Sequence, residues 1–165
     1  MKKHTILMLI LLFGFACSLY AKTFTMVYLD RTSVTMEALS FVKKQIKTQK
    51  SPLKLAYANG FKGLKGNEDV VVILNTGLSQ GTDQRITTYL SQITDKKKVM
   101  VVNLYSLGNQ AMYERILASD SVHGVDEISA ASWYDEGKGF SKGNTLSLDM
   151  HTQWVTELFS AVEGK

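Results

Sequence analysis

The sequence predicts an α/β protein: a three-layer, doubly wound parallel sheet of five strands in the order 2-1-3-4-5. Three observations predict it. Apolar runs of strand length alternate with segments of helical period through residues 22–165, as in a parallel sheet with helices on both faces. The first, third and fourth runs are apolar almost throughout, as strands covered on both faces are. The second and fifth carry polar residues, as edge strands do, and this order places those two at the edges.

Each element has its own signal. Phe24 to Leu29 is the first strand. A helix follows from about Thr35 to Thr48, with Ala38, Leu39, Val42 and Ile46 on its apolar face and Lys43, Lys44 and Lys47 toward water. Ser51-Pro52 ends that unit, because proline lacks the amide a continuing helix needs. Leu53 to Ala58 is the second strand. Asn59 to Glu68 carries Gly60, Gly63 and Gly66 and reads as a loop. It is too short and glycine-rich for a crossover helix, which predicts either a partly uncovered sheet face or a connection that is not a normal crossover. Val70 to Leu74 is the third strand. Thr82 or Asp83 caps a helix to about Thr94 with Ile86, Tyr89, Leu90 and Ile93 on one face. Val99 to Leu104 is the fourth strand. Asn109 caps a shorter helix with Met112, Ile116 and Leu117 inward. Val122 to Ala131 holds a weaker fifth strand, broken by Gly124, Asp126 and Glu127. Trp133 to Asn144 is a glycine-rich loop. Asp149 caps a final helix through Val162, burying Trp154, Val155, Leu158 and Val162.

The N-terminus is of another kind. Lys2 and Lys3 precede an apolar run from Ile6 to Ala16, shorter than the roughly 20 residues that span a bilayer. This is the pattern of a secretory signal peptide over residues 1–21, and it predicts export to the periplasm or cell envelope. Cleavage after Ala21 is one exit. The other is lipidation of Cys17 behind Gly14-Phe15-Ala16, the one route by which this chain would reach a membrane. Removing residues 1–21 takes away two lysines and no acids, lowering the formal charge from +4 to +2. Residues 22–165 then form a single domain without cysteine, which excludes a disulfide scaffold and thiol chemistry. Lys96-Lys97-Lys98 lacks interleaved aromatics, so no nucleic-acid surface is expected. His123 and His151 share no ligand spacing, so no metal site is expected either.

Over most of residues 23–163 the chain resembles the flavodoxin-like family. In that fold the ligand lies at the carboxyl ends of the strands, beside the switch between strands one and three. The loop after the first strand, Asp30-Arg31-Thr32-Ser33-Val34-Thr35, is rich in hydroxyls and opens a helix, whose free amides suit an anion. The resemblance implies flavin mononucleotide (FMN), held noncovalently for electron transfer or flavin-dependent reduction. Its phosphate would lie on Thr32, Ser33 and Thr35. Its ring would lie against Thr76 and Gly77 after the third strand, Tyr105 and Gly108 after the fourth, and Trp133 after the fifth. The loop departs from the family at Val34, where glycine would allow close approach, and at Asp30, which repels phosphate. The same sequence therefore also fits a cofactor-free binding domain whose partner is an envelope protein or a small phosphate-bearing ligand. A third reading is a small serine hydrolase. Gly77-Leu78-Ser79-Gln80-Gly81 fits G-x-S-x-G between a strand and a helix. Ser79 would be the nucleophile, His151 the base, and Asp126 or Asp135 the residue that orients it. Against it, the helix begins several residues after Ser79, and His151 would face solvent from a first helical turn.

Overall fold

The computed structural model describes residues 21–76, 82–107, 124–133 and 148–165. Their elements are β1 (Thr23–Tyr28), α1 (Ser33–Thr48), β2 (Lys54–Asn59), β3 (Val70–Thr76), α2 (Gln84–Gln92), β4 (Val99–Leu107), β5 (Asp126–Trp133) and α3 (Leu148–Gly164). Short 3₁₀ turns stand at Phe61–Gly63 and Lys96–Lys98. The five strands form one sheet in the order β2-β1-β3-β4-β5, and every neighbouring pair is parallel. This is the flavodoxin-like order that the sequence predicts.

The alternation of side chains along each strand divides the core into two layers. On one face Phe24, Met26, Val72, Leu74, Met100, Val102 and Leu104 meet Ala38, Leu39 and Val42 of α1 and Trp154, Leu158 and Val162 of α3. On the other face Val27, Ile73 and Val101 meet Ile86 and Leu90 of α2. The predicted apolar faces of these three helices are the buried ones. Among the described residues no helix is long and apolar enough to cross a membrane.

Element ends differ from the expectations in instructive places. Thr32 caps α1 through its side chain, so the helix starts at Ser33 rather than Thr35. Asp83, not Thr82, caps α2. β3 and β4 run two and three residues beyond their apolar runs, to Thr76 and Leu107. β3 continues because Asn75 and Thr76 pair with Asn103 and Leu104, and β4 because Tyr105, Ser106 and Leu107 pair with β5. β5 starts at Asp126. Gly124, at φ +75°, belongs to the turn before it, and the two acids expected to break the strand are its first residues. The helix expected after Asn109 lies outside the described residues.

The connection after β2 does the work of a crossover helix in ten residues. Gly60 adopts φ +70°, a conformation that disfavours side chains, and its amide donates to the Tyr28 carbonyl at 2.8 Å. A Cβ on Gly63 would stand 3.2 Å from the Ala58 Cβ. This tight path lays Phe61 flat on Tyr89 of α2, with centroids 4.1 Å apart. Phe61 and Leu64 thus cover part of the face the sequence leaves open. A cavity of about 340 Å³ remains beside Thr23, Thr25, Ala56 and Lys65.

Candidate functional site

β1 sends its helix to one face of the sheet and β3 sends its helix to the other. A crevice is expected between the two loops, at the carboxyl ends of the strands. Here two direct links cross it. The Thr35 and Thr76 hydroxyls share a hydrogen bond of 2.7 Å. Arg85 reaches from α2 to Asp30, with Nη2 2.5 Å from Oδ2 and Nη1 3.4 Å from Oδ1.

The first link and its continuation to Thr32 engage two of the three hydroxyls expected to hold an anion, those of Thr35 and Thr32. Thr32 Oγ1 accepts the Thr35 amide at 3.1 Å, satisfying one of the free donors of the first turn. The Thr32 and Thr35 hydroxyls also share a hydrogen bond of 2.9 Å. Thr35 is 1 % exposed and offers nothing to a ligand. Thr32 and Ser33 remain exposed. Val34 turns toward the core. Residues 29–35 contain no glycine, so this loop offers the crevice no bare glycine backbone. This loop does not fit the phosphate of FMN in the family's manner.

The second link anchors a polar network. Asp83 Oδ1 accepts the Arg85 amide at 2.8 Å as the cap of α2, and Arg85 Nη2 returns to Asp83 Oδ2 at 2.7 Å. The hydrogen bond from the Arg85 side chain holds the Asp83 carboxyl below its ordinary range, against a smaller opposing effect of burial. The Arg85 guanidinium is in turn held more firmly protonated by Asp83 and then Asp30. The Asp83 amide donates to Asn75 Oδ1 at 3.4 Å. Asn75 Nδ2 donates to Asn103 Oδ1 at 2.8 Å. Asn103 Nδ2 lies 3.2 Å from both Ser129 Oγ and Glu127 Oε2. Asn75, Asn103 and Ser129 are in register across β3, β4 and β5, and both asparagines are buried.

The other expected residues fall as follows. Tyr105 is 1 % exposed and presents no free ring face. Trp133 is the last residue of β5, in register with Leu107. Gly77, Ser79, Gly108 and Asp135 lie outside the described residues. Of the hydrolase set, only Asp126 and His151 fall within the described residues, and these two are not brought together. Asp126 begins β5 and pairs with Lys165 at 2.8 Å, at the amino end of the sheet. His151 stands in the first turns of α3, which starts from the carboxyl end. The eight residues of β5 separate those ends by roughly 25 Å at the usual strand rise. His151 is also buried, 3 % exposed, which corrects the expectation that it faces solvent. Its Nδ1 accepts the Trp154 indole N–H at 3.1 Å, and its Nε2 stands 3.4 Å from Glu37 Oε1.

No protein-family model matches the chain, and no curated protein matches its sequence. Solved structures similar to it are flavodoxins. One from the domain Archaea has a TM-score of 0.49 at 8 % identity, covering 86 % of this chain and 99 % of that one. Flavodoxin 2 from Bacillus cereus has a TM-score of 0.45 at 13 % identity, covering 87 % and 99 %. A flavodoxin mutant from Pseudomonas aeruginosa has a TM-score of 0.44 at 12 % identity, covering 86 % and 99 %.

Sequence reasoning missed three features of the site. The Arg85–Asp30 link joins residues 55 apart and leaves no local pattern. The asparagine ladder had a signal: Asn103 interrupts one apolar strand run and Asn75 directly follows another. The Glu37–His151–Trp154 cluster had one as well, because His151 and Trp154 are three apart on a helix and so share a face. A cavity of about 630 Å³ lies at the far end of the sheet, beside Lys96, Gly124, Asp126 and Lys165. Among the described residues no group of three His, Cys, Asp or Glu side chains is placed to hold a metal.

Proposed function

We propose that this chain is an exported, flavodoxin-like binding domain that engages an envelope protein through the strand-end rim and works without flavin. The observation that carries this reading is the stitched crevice. A phosphate entering between β1 and β3 would have to displace the partly buried Thr35–Thr76 hydroxyl pair. It would also sit beside the Asp30 carboxylate, which is 60 % exposed. Among the described residues the rim offers a run of exposed side chains. Arg31, Thr32 and Ser33 are exposed there, and next to them Met36 is 48 % exposed. Arginine and methionine are enriched at protein interfaces. The basic and apolar pattern of residues 2–16 supports export.

The FMN and electron-transfer reading, or a small phosphate-bearing ligand generally, is favoured by one observation: Thr32 and Ser33 are exposed residues at the start of α1. Titration decides between the readings. The mature domain is expected to be colourless and to leave FMN fluorescence unquenched at high micromolar protein. Quenching that saturates would overturn the flavin-free reading. A photo-crosslinker at Met36 should trap an envelope protein that one at Lys43, on the outward face of α1, does not. No difference between the two positions would remove the rim as the interface. Intact mass after expression tests export, by cleavage after Ala21 or acylation at Cys17; an uncut, unmodified chain would refute it.

A further inference from the structure

His151 is a buried imidazole in a setting none of the readings above uses. It lies where α3 crosses the first turns of α1. Phe41 stacks on it, with centroids 4.8 Å apart and planes 23° from parallel. Trp154, 1 % exposed, donates its indole N–H to Nδ1 at 3.1 Å. That bond fixes the neutral tautomer with its proton on Nε2, which faces Glu37 Oε1 at 3.4 Å. Among the described residues Glu37 is the charged group set against the imidazole. Phe41 and Trp154 carry no charge.

We propose that His151 is a proton-operated latch between α3 and α1. In the neutral state the ring holds Trp154 on one side and faces Glu37 on the other. A proton taken from solvent can bind only at Nδ1, where it points at the indole N–H. The indole bond must then break, and the imidazolium turns toward Glu37. Glu37 lies in the same stretch of helix as Thr35, whose hydroxyl ties α1 to Thr76 of β3. Uptake of the proton therefore shifts the first turn of α1 and the Thr35–Thr76 stitch with it. The latch stands whether or not the rim binds a partner. Burial, the largest influence on this imidazole, opposes the proton, and Glu37 favours it.

The experiment is an NMR titration of the mature domain from neutral to acid pH. It follows the His151 ring, assigned with His151→Gln, and the amides of Thr35 and Thr76. Trp154→Phe removes the N–H opposite Nδ1 and keeps a ring. It is expected to raise the His151 midpoint by about one unit, the equivalent of an ordinary hydrogen bond. Glu37→Gln, a change at a half-exposed position, is expected to lower the midpoint. In the unmodified chain the Thr35 and Thr76 amides are expected to shift with the same midpoint as the ring. Amides that ignore the His151 titration would overturn the latch. So would a midpoint that Glu37→Gln leaves in place, even if Trp154→Phe failed to fold.

Discussion

Arg85 holds Asp30 from the opposite side of the sheet's switch point. Asp30 follows β1, whose helix packs on one face, and Arg85 belongs to α2, which packs on the other. The guanidinium grips Asp30 and Asp83 together, with the planar fork that suits arginine to carboxylates. A position where this fold usually opens is thereby bridged by charge.

The bridge is exposed, with Arg85 at 52 % and Asp30 at 60 %, so its stability effect is small. Arg85→Ala should lower unfolding free energy by about 1 kcal/mol, mostly through the lost support of the α2 cap. Asp30→Asn should cost less than that. A double-mutant cycle by urea unfolding should give a coupling below about 1 kcal/mol, shrinking with salt.

The asparagine ladder should cost far more to break. Asn103→Leu removes the acceptor of the Asn75 amide and the donor that faces Ser129 and Glu127. Both asparagines are buried, where a polar group that loses its partner costs about 1–3 kcal/mol. Denaturant unfolding should register a loss of about 3 kcal/mol. Asn103→Asp should lose more, because it sets a carboxylate beside Glu127.

The fold was legible because burial writes itself along the chain. Val70–Leu74 is apolar on both faces and Val99–Leu104 is so but for Asn103, and they are central strands. The helix faces of Ala38, Ile86 and Leu158 were legible for the same reason. The site was less so. Thr32, Ser33 and Thr35 suggest an anion cradle as a string of letters. Only the approach of Thr76, 41 residues later, turns Thr35 inward. The burial of His151 was hidden likewise, since it depends on Phe41 and Glu37 arriving from another helix. Pairwise contacts between distant segments leave no period to read.

Lys50 gives a prediction from backbone geometry alone. After α1 the Ser51 amide donates to the Ile46 carbonyl at 3.1 Å and the Lys50 amide to the Lys47 carbonyl at 3.3 Å. This is the Schellman ending, which places the residue between them in the left-handed region. Lys50 adopts φ +50° there, at a cost of about 1 kcal/mol for a residue with a Cβ. Lys50→Gly should relieve that strain, offset in part by the freer unfolded chain. A net gain of about 0.5–1 kcal/mol in thermal or urea unfolding is expected. Lys50→Val, β-branched, should move stability the other way.

The buried imidazole also sets a direction for stability against pH. Burial holds the His151 pKa below the ordinary 6.5, against the opposing pull of Glu37. As pH falls through 6.5 the unfolded chain takes up its proton first. Between 6.5 and the lower folded value the unfolded state binds more protons, so acid favours unfolding. The contribution of His151 is therefore fully present above pH 6.5 and is lost as the pH falls toward the folded midpoint. One proton limits the slope to about 1.4 kcal/mol per pH unit. Carboxylates titrate lower and act in both chains compared, so the informative quantity is the difference from His151→Gln. The glutamine keeps an amide oxygen for the Trp154 indole and carries no titrating proton. Urea unfolding between pH 7.5 and pH 5 should show the two chains converging as the pH falls. Parallel curves would mean that the imidazole keeps its ordinary affinity for protons in the folded state.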